Sequence, residues 1–328
     1  VTTTASIIIC TAGKPESLSE TLRSLEKLTI PADIVVELLV VDNQPTTAKT
    51  ATDNCSINNM TVKYVEEPSR GQSYARNCGL RFATGEIIIF TDDDLQFSTT
   101  WIQDLIEPII TGKSDAVAGA IRMAPELERD WMTNYHRVCY AELTDPIGGY
   151  FEMVGANMAF HRRVLKQVPV FDVRLGPGAL GFCDDSLFSV RLRDAGYKIV
   201  FNKDAEVTHH FSDDRLKGKA LRRHAEQLGR SVGFVARHWE QKQITAPHLR
   251  RLRKALQLSL RRLTSPKGSP EDEGCDEGEL FDIKGWAFID QYIKESSKPA
   301  FYNRPITQSA RRNSIVAIIS DLFHRVPS

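Results

Sequence analysis

The chain has 328 residues, enough for one large α/β domain and a smaller companion, and its 42 basic and 42 acidic residues leave a formal net charge of zero. No apolar run approaches the roughly 18–20 residues of a membrane span, and the six cysteines show neither a CxxC pair nor metal-ligand spacing, which argues against a spanning helix, a cysteine zinc site and a disulfide framework. Thr2, Thr3 and Thr4 run into apolar residues without a basic leader, so the expected setting is cytoplasmic, with thiols reduced.

Ile7, Ile8, Ile9 and Cys10 read as a short buried strand, followed by a turn through Gly13 and Lys14. Pro15 suits a first helical turn, and Leu18, Leu22, Leu25 and Leu28 recur at helical spacing. Residues 34–41 form a continuous apolar strand of the kind buried in a parallel sheet, ending at Asp42 and Asn43. A third strand is predicted over 62–65, a helix over 73–83, and a fourth strand over 86–90 that ends at Asp92, Asp93 and Asp94. This β-α-β alternation predicts a parallel sheet with its functional loops at one end. Between 116 and 160 the pattern is irregular. Trp131, Tyr135, Tyr140, Tyr150 and Phe151 either line a pocket or pack internally. A strand is predicted over 153–160, then a glycine-rich loop before Asp184 and Asp185, a helix through Leu192, a strand over 197–201, and a segment from 205 to the paired His209 and His210.

Three adjacent ionised aspartates repel one another, and burying them uncompensated costs several kcal/mol, so a divalent cation among Asp92, Asp93 and Asp94 is the simplest resolution. A solvated acidic turn capping the helix that begins near Trp101 is the other. Asp42, Asp92 to Asp94, Asp184 with Asp185, and His209 with His210 each lie at the end of an apolar run. In an open α/β sheet that is where ligands bind.

Taken in order, the motifs Ser6 to Thr11, Val40-Val41-Asp42-Asn43, Gly71-Gln72-Ser73-Tyr74-Ala75-Arg76-Asn77-Cys78-Gly79, Asp92-Asp93-Asp94, and Asp184-Asp185 with Arg191, Leu192, Gly196 and Tyr197 behind it resemble family 2 glycosyltransferases. The resemblance covers residues 6–211. It implies a GT-A (Rossmann-like) α/β fold, a mixed, mostly parallel sheet flanked by helices, here with a C-terminal helical extension. It also implies metal-dependent, inverting transfer of a sugar from a nucleotide-diphosphate donor, UDP-linked by preference, to a hydroxyl on a carbohydrate or lipid-linked acceptor. By that resemblance Asp42 binds the base, Thr11, Arg70, Arg76, Asp92 and Asp93 lie on the nucleotide side, and Asp94, Asp92 and His209 hold Mn²⁺ or Mg²⁺, with His210 a competitor for His209. Arg76 either approaches the nucleotide or holds the aspartate loop through a bidentate pair. Asp185 is the general base and Asp184 its support. The chain departs from the family pattern by carrying Asp at 184, where Glu is usual, and by Gln44, Pro45, Thr46 and Thr47 after Asp42 and Asn43, which leaves donor identity open.

The net charge of zero hides a segregation. Residues 215–262 carry fourteen Lys and Arg against Glu226 and Glu240. Leu249, Leu252, Leu256, Leu260 and Leu263 keep helical spacing among them, a face suited either to an anionic membrane surface or to packing on the catalytic domain while the arginines meet water. No reading motif supports nucleic-acid binding. Residues 265–279, rich in Pro, Gly, Ser and acids, read as a linker, and Ile315, Ile318, Ile319, Leu322 and Phe323 extend a helical tail. The expected division is a catalytic domain at 1–212, a basic helical region at 213–263, a linker at 264–280 and a tail at 281–328, with the protein peripheral at the inner membrane face. Oligomeric state is left open. A nucleotidyltransferase, which wants a glycine-rich basic phosphate loop near its first strand, and a non-catalytic nucleotide-sugar-binding protein are the alternatives. Gly13 and Lys14 are a poor version of such a loop.

Overall fold

The structure, a computed structural model, describes residues 2–44, 48–53, 55, 57, 60–146, 150–264, 272–303 and 314, the side chains of 262 and 264 excepted. In chain order the elements are β1 (Thr3–Thr11), α1 (Pro15–Leu25), β2 (Ile34–Asp42), α2 (Ala48–Asp53), β3 (Met60–Glu66), α3 (Gln72–Phe82), β4 (Ile87–Asp92), β5 (Leu95–Phe97), α4 (Trp101–Ile110), β6 (Ala116–Met123), α5 (Asn134–Cys139), β7 (Asn157–His161), α6 (Asp184–Asp194), β8 (Ile199–His209), α7 (Gly218–His238), α8 (Pro247–Thr264) and α9 (Glu277–Ser296). They fall into two compact units. One comprises Val1–Leu127, Ala141–Val173 and Asp184–His210; the other comprises Glu128–Tyr140, Arg174–Cys183 and Phe211–Ser328.

The first unit is built on an eight-stranded sheet in the order β3-β2-β1-β4-β7-β6-β8-β5. β3, β2, β1 and β4 run parallel, β7 runs antiparallel to both β4 and β6, β8 is parallel to β6, and the short β5 returns antiparallel to β8. This is the mixed, mostly parallel sheet anticipated from the motif order. Both faces are covered, which is why its strands read as unbroken apolar runs. Ile7 and Ile9 of β1 enter one core with Leu18, Leu22 and Leu25 of α1 and Leu105 of α4, while Ile8 enters the other with Ala75 and Cys78 of α3. Each such fully buried aliphatic side chain contributes about 1.5–3 kcal/mol.

Several boundaries differ from the sequence pattern. The strand predicted at 7–10 spans Thr3–Thr11, since Thr3 and Thr4 already pair with Ile34 and Val35. The strand predicted over 153–160 starts only at Asn157, whose buried side-chain amide donates to the carbonyls of Ala120 and Ala205 and accepts from the Trp101 indole. The segments at 197–201 and 205–210 are one strand, Ile199–His209. Glu37, buried in β2, accepts from Ser6, Lys63 and Thr84. Although burial opposes its charge, these donors hold its carboxyl down at about 2.

In the second unit α7 lies against α9 at glycine contacts. A Cβ at Gly229 would sit 2.3 Å from the Lys284 carbonyl oxygen and one at Gly233 2.4 Å from that of Phe288. α8 turns Arg251, Lys254 and Arg261 toward α9. Arg251 pairs with Asp290 at 3.1 Å, Lys254 with Asp282 at 3.4 Å, and Arg261 with Asp282 at 2.8 Å and Asp276 at 2.9 Å. This corrects the expectation that the leucines pack while the arginines face water. Leu249, Leu252, Leu256, Leu260 and Leu263 are 54–81% exposed, because the acids of α9 claim the opposite face. α9 begins at Glu277, inside the stretch read as linker to residue 280, where the Asp276 side chain caps it by accepting from the Glu279 amide. Tyr135 and Tyr140 are packing residues, Tyr135 against Phe281 and Tyr140 stacked on Phe211 at 4.6 Å. The expected tail positions Ile315, Ile318, Ile319, Leu322 and Phe323, and residues 265–271 of the expected linker, lie outside the described residues. Among the described residues no helix is long and apolar enough to cross a membrane, and none of the six cysteines is in a disulfide.

Candidate active site

Parallel register assembles the site. β1 and β2 end together with Thr11 opposite Asp42, and β4 ends beside them with Asp92 opposite Cys10, so three strands deliver polar side chains to one carboxyl-terminal edge. β5 follows at once. Its pairing of Leu95 with His209 on β8 closes a sequence separation of more than one hundred residues and sets the histidine against Asp94. The His209 Nε2 is 3.3 Å from Asp94 Oδ1, both side chains being buried. His210 is turned elsewhere: its Nδ1 lies 2.8 Å from Glu126 while its amide donates to the Asp94 carbonyl.

Each of the three aspartates has a partner, and Asp93 and Asp94 share Lys14. Asp92 accepts from Gln72 Nε2 at 3.3 Å, and Asp93 accepts from Thr11 Oγ1 at 2.6 Å. The Lys14 ammonium reaches Asp94 Oδ2 at 3.3 Å and Asp93 Oδ1 at 3.8 Å. Ser17 ties α1 to the same loop by donating to the Asp93 carbonyl. Burial raises the Asp92 carboxyl, with Arg76 working against it and Asp94 adding to it, and pushes Asp93 up to about 6 despite Lys14.

Asp184 and Asp185 open α6. Asp184 is buried and paired with Arg76, whose Nη1 lies 2.5 Å from Oδ2, and Ser73 donates to the same oxygen at 3.3 Å. Ser73 and Arg76 are three residues apart on α3 and so share one face. Arg76 therefore stands on Asp184 and not in a bidentate pair with the Asp92 to Asp94 loop. Burial opposes its charge, but Asp184, Asp185 and Asp92 surround it with negative charge and hold it firmly protonated. Gly155 makes room for it. A Cβ there would fall 1.7 Å from Arg76 Nη2. Asp185, partly exposed, accepts the amides of Gly155 at 3.0 Å and Ser186 at 2.8 Å. Burial, then the neighbouring Asp184 charge, push its carboxyl up to about 7, against the pull of Arg76.

At the other end of the edge Asp42, fully buried, accepts from the Gln44 amide at 3.1 Å and from the Tyr64 hydroxyl at 3.0 Å. Asn43 holds the loop behind it, donating to the carbonyls of Glu67 and Ser69 and accepting from the Gly71 amide at 2.7 Å. Gly71 sits at φ 135°, a conformation that side-chain-bearing residues rarely adopt, and it allows the chain to turn into α3. Arg70, just before it, is exposed. Pro45, Thr46 and Thr47 lie outside the described residues.

Lys14, Tyr64, Gln72, Ser73, Gly155 and Glu152 were not picked out as site residues from sequence. Glu152 is pushed up by burial and bonded by Tyr150 and Ser186 beside Asp185. The available signals were Gly13-Lys14, a cation directly after a strand end, and the Gly71–Gly79 motif that contains Gln72 and Ser73.

Five carboxylates, Asp92, Asp93, Asp94, Asp184 and Asp185, thus lie about Arg76 and Lys14, and burial first, with neighbouring carboxylates adding to it, raises Asp92, Asp93 and Asp185. Among the described residues no group of three His, Cys, Asp or Glu side chains forms a ready ligand set. Asp94 supplies a hard carboxylate oxygen and His209 an imidazole nitrogen side by side. That fits a divalent cation shared with phosphate oxygens and water better than an all-protein cage.

The chain is similar to known glycosyltransferases in sequence and in fold. Residues 6–168 match the model of "Glycosyl transferase family 2". The chain is 25% identical over 228 residues, 65% of its length and 71% of the relative's, to the glucosyl-dolichyl phosphate glucuronosyltransferase of Haloferax volcanii. It is 35% identical over 116 residues to the succinoglycan biosynthesis protein ExoM of Rhizobium meliloti, covering 35% of this chain but 37% of that one. The fold aligns, at a TM-score of 0.55 and 16% identity over 99% of this chain and 89% of the other, with a mannosyltransferase from Pyrobaculum calidifontis solved with GDP-Man and Mn²⁺. Motif order, sheet topology and family match converge: the chain is a glycosyltransferase that uses a nucleotide-sugar donor and belongs to glycosyl transferase family 2.

Proposed function

We propose that the chain is a metal-dependent, inverting hexosyltransferase that moves a sugar from a nucleoside-diphosphate donor, preferentially UDP-linked, to a hydroxyl of a lipid-linked or growing carbohydrate acceptor. The observation that carries it is the strand-edge cluster in which Asp94 meets both His209 and Lys14 while Asp185, with its raised carboxyl, stands at the start of α6. Asp42 accepts a ring N–H of the base, with Tyr64 fixing its second oxygen. Thr11 and Lys14 orient and neutralise the aspartate loop until the diphosphate arrives, and Lys14 then serves the phosphate oxygens as a point charge. Asp94 and His209 would hold a divalent cation, Mn²⁺ or Mg²⁺, which would supply charge neutralisation to the departing diphosphate.

Asp185 takes the proton of the acceptor hydroxyl as its oxygen bonds to the anomeric carbon. The bond from that carbon to the diphosphate oxygen breaks, its electron pair leaves with the nucleoside diphosphate, and a single displacement inverts the centre. Asp184, committed to Arg76, positions α6 and keeps Asp185 in an anionic neighbourhood that makes it a competent base near neutral pH. The lipid-linked acceptor is supported by the Haloferax relative, whose name carries a dolichyl phosphate. Thermal shifts with UDP, GDP, CDP and dTDP, with and without Mn²⁺, test the donor assignment, because a ligand that binds only the folded state raises the melting temperature by mass action. The largest Mn²⁺-dependent shift is expected with UDP. A clear preference for GDP contradicts that choice.

A further inference from the structure

At 100° per residue the leucines of α8 occupy about 80° of arc and, at 1.5 Å per residue, a stripe about 21 Å long. All five are exposed, the least by 54% and the most by 81%. On the opposite side Arg251, Lys254 and Arg261 are held by Asp290, Asp282 and Asp276 of α9, with Ala255 and Leu258 half-buried between them. The helix is therefore clamped by its basic face and offers its apolar face outward. Arg253, exposed, borders the stripe on one side and His248 on the other, with the exposed Arg250, which donates to Thr245, about 60° further round from Arg253. No acidic residue occurs anywhere in α8.

We propose that this face seats the protein on an anionic lipid bilayer. The helix lies in the interface plane with its leucines among the acyl-chain boundary and Arg250 and Arg253 at the lipid phosphates. Charge selects this occupant over a second copy of the chain. Two such stripes zipped together would bring their arginine sides together with no carboxylate on either helix to answer them, whereas a phosphate surface supplies the missing negative charge. The charge density also forbids spanning, so the attachment is peripheral and releasable by salt.

The test is co-sedimentation of the full chain with vesicles of pure phosphatidylcholine and of phosphatidylcholine containing about a third phosphatidylserine, at low and at about 0.5 M salt, where screening shortens to a few ångströms. Binding to the anionic vesicles alone, falling at least tenfold with salt, is expected. The triple variant L252Q, L256Q, L260Q is expected to lose it tenfold or more while keeping the parent melting temperature and nucleotide-binding shift. R250Q with R253Q is expected to weaken it severalfold with the leucines intact. No binding at low salt overturns the proposal. So does a triple variant that binds as well as the parent, or a concentration-dependent dimer that the triple variant abolishes. Cross-linking of the stripe to residues 315–323 in the lipid-free and lipid-bound protein alike would also overturn it, since the face would then belong to the chain's own tail.

Discussion

Replacing Asp185 with Asn separates the proton-accepting role of this carboxylate from its structural one. Both oxygens of Asp185 accept backbone amides, from Gly155 and Ser186, and an amide side chain keeps one acceptor and presents a donor to the other amide, which costs about 1–3 kcal/mol. Against this, the variant removes a charge that the site disfavours. The carboxyl rises from 3.8 to about 7 through burial and the Asp184 charge, and at 1.36 kcal/mol per pKa unit the ionised form costs about 4 kcal/mol above neutrality. The sign follows from linkage: the unfolded chain releases this proton near 3.8 and the folded chain only near 7, so the stability associated with Asp185 is retained at low pH and lost as pH climbs between those values. Asp185→Asn is expected to melt lower than the parent near pH 4–5 and level with it or higher at pH 8. Its turnover is expected to fall by about 10²–10⁴-fold, the range of a lost general base. The parent's turnover should fall about tenfold per pH unit below about 7, a limb absent from the variant's residual activity. Nucleoside diphosphate release against pH, with melting curves at both pH values, supplies the readout. Turnover within about fivefold of the parent, or a parent profile flat from pH 5 to 8, would refute the assignment of the base.

Asp94→Ala, like chelation, is expected to abolish turnover and erase the Mn²⁺-dependent part of nucleoside diphosphate affinity; calorimetric titration that finds this part unchanged contradicts the Asp94 and His209 pairing. Gly155→Ala would drive a methyl to 1.7 Å from Arg76 Nη2 and break a buried ion pair, so a loss of about 3–5 kcal/mol in denaturant stability is expected; parent-like unfolding places Arg76 elsewhere. Glu37→Ala leaves Ser6, Thr84 and Lys63 without their acceptor and is expected to cost about 2–4 kcal/mol while sparing the donor KM, whereas a raised KM at unchanged stability would move Glu37 into the donor site.

What the sequence disclosed follows the physics of each element. Asp42 and Asp92 were legible because apolar runs buried on both faces stop at a carboxylate, and parallel register then aligns those stops on one edge. The long-range partners were not. β5 has three residues, too few for a period, and nothing local announces that Leu95 pairs with His209 and so chooses it over His210. Arg76 carried a helix position but no hint of Asp184, 108 residues away. Tyr64 sits in an alternating, half-buried strand where a tyrosine is unremarkable until its hydroxyl meets Asp42. The leucine period of α8 specified a face and not its surroundings, which depended on Asp276, Asp282 and Asp290 drawing the basic side inward.

Incubating the chain with UDP-, GDP-, CDP- and dTDP-sugars and following nucleoside diphosphate release, with Mn²⁺ and with chelator, bears most directly on the proposed chemistry. Metal-dependent release of the nucleoside diphosphate from a UDP-sugar, stimulated by a hydroxyl acceptor and lost in Asp185→Asn, is the predicted result. Release of pyrophosphate from a nucleoside triphosphate and sugar phosphate, or nucleotide binding with no turnover of any donor, would contradict it.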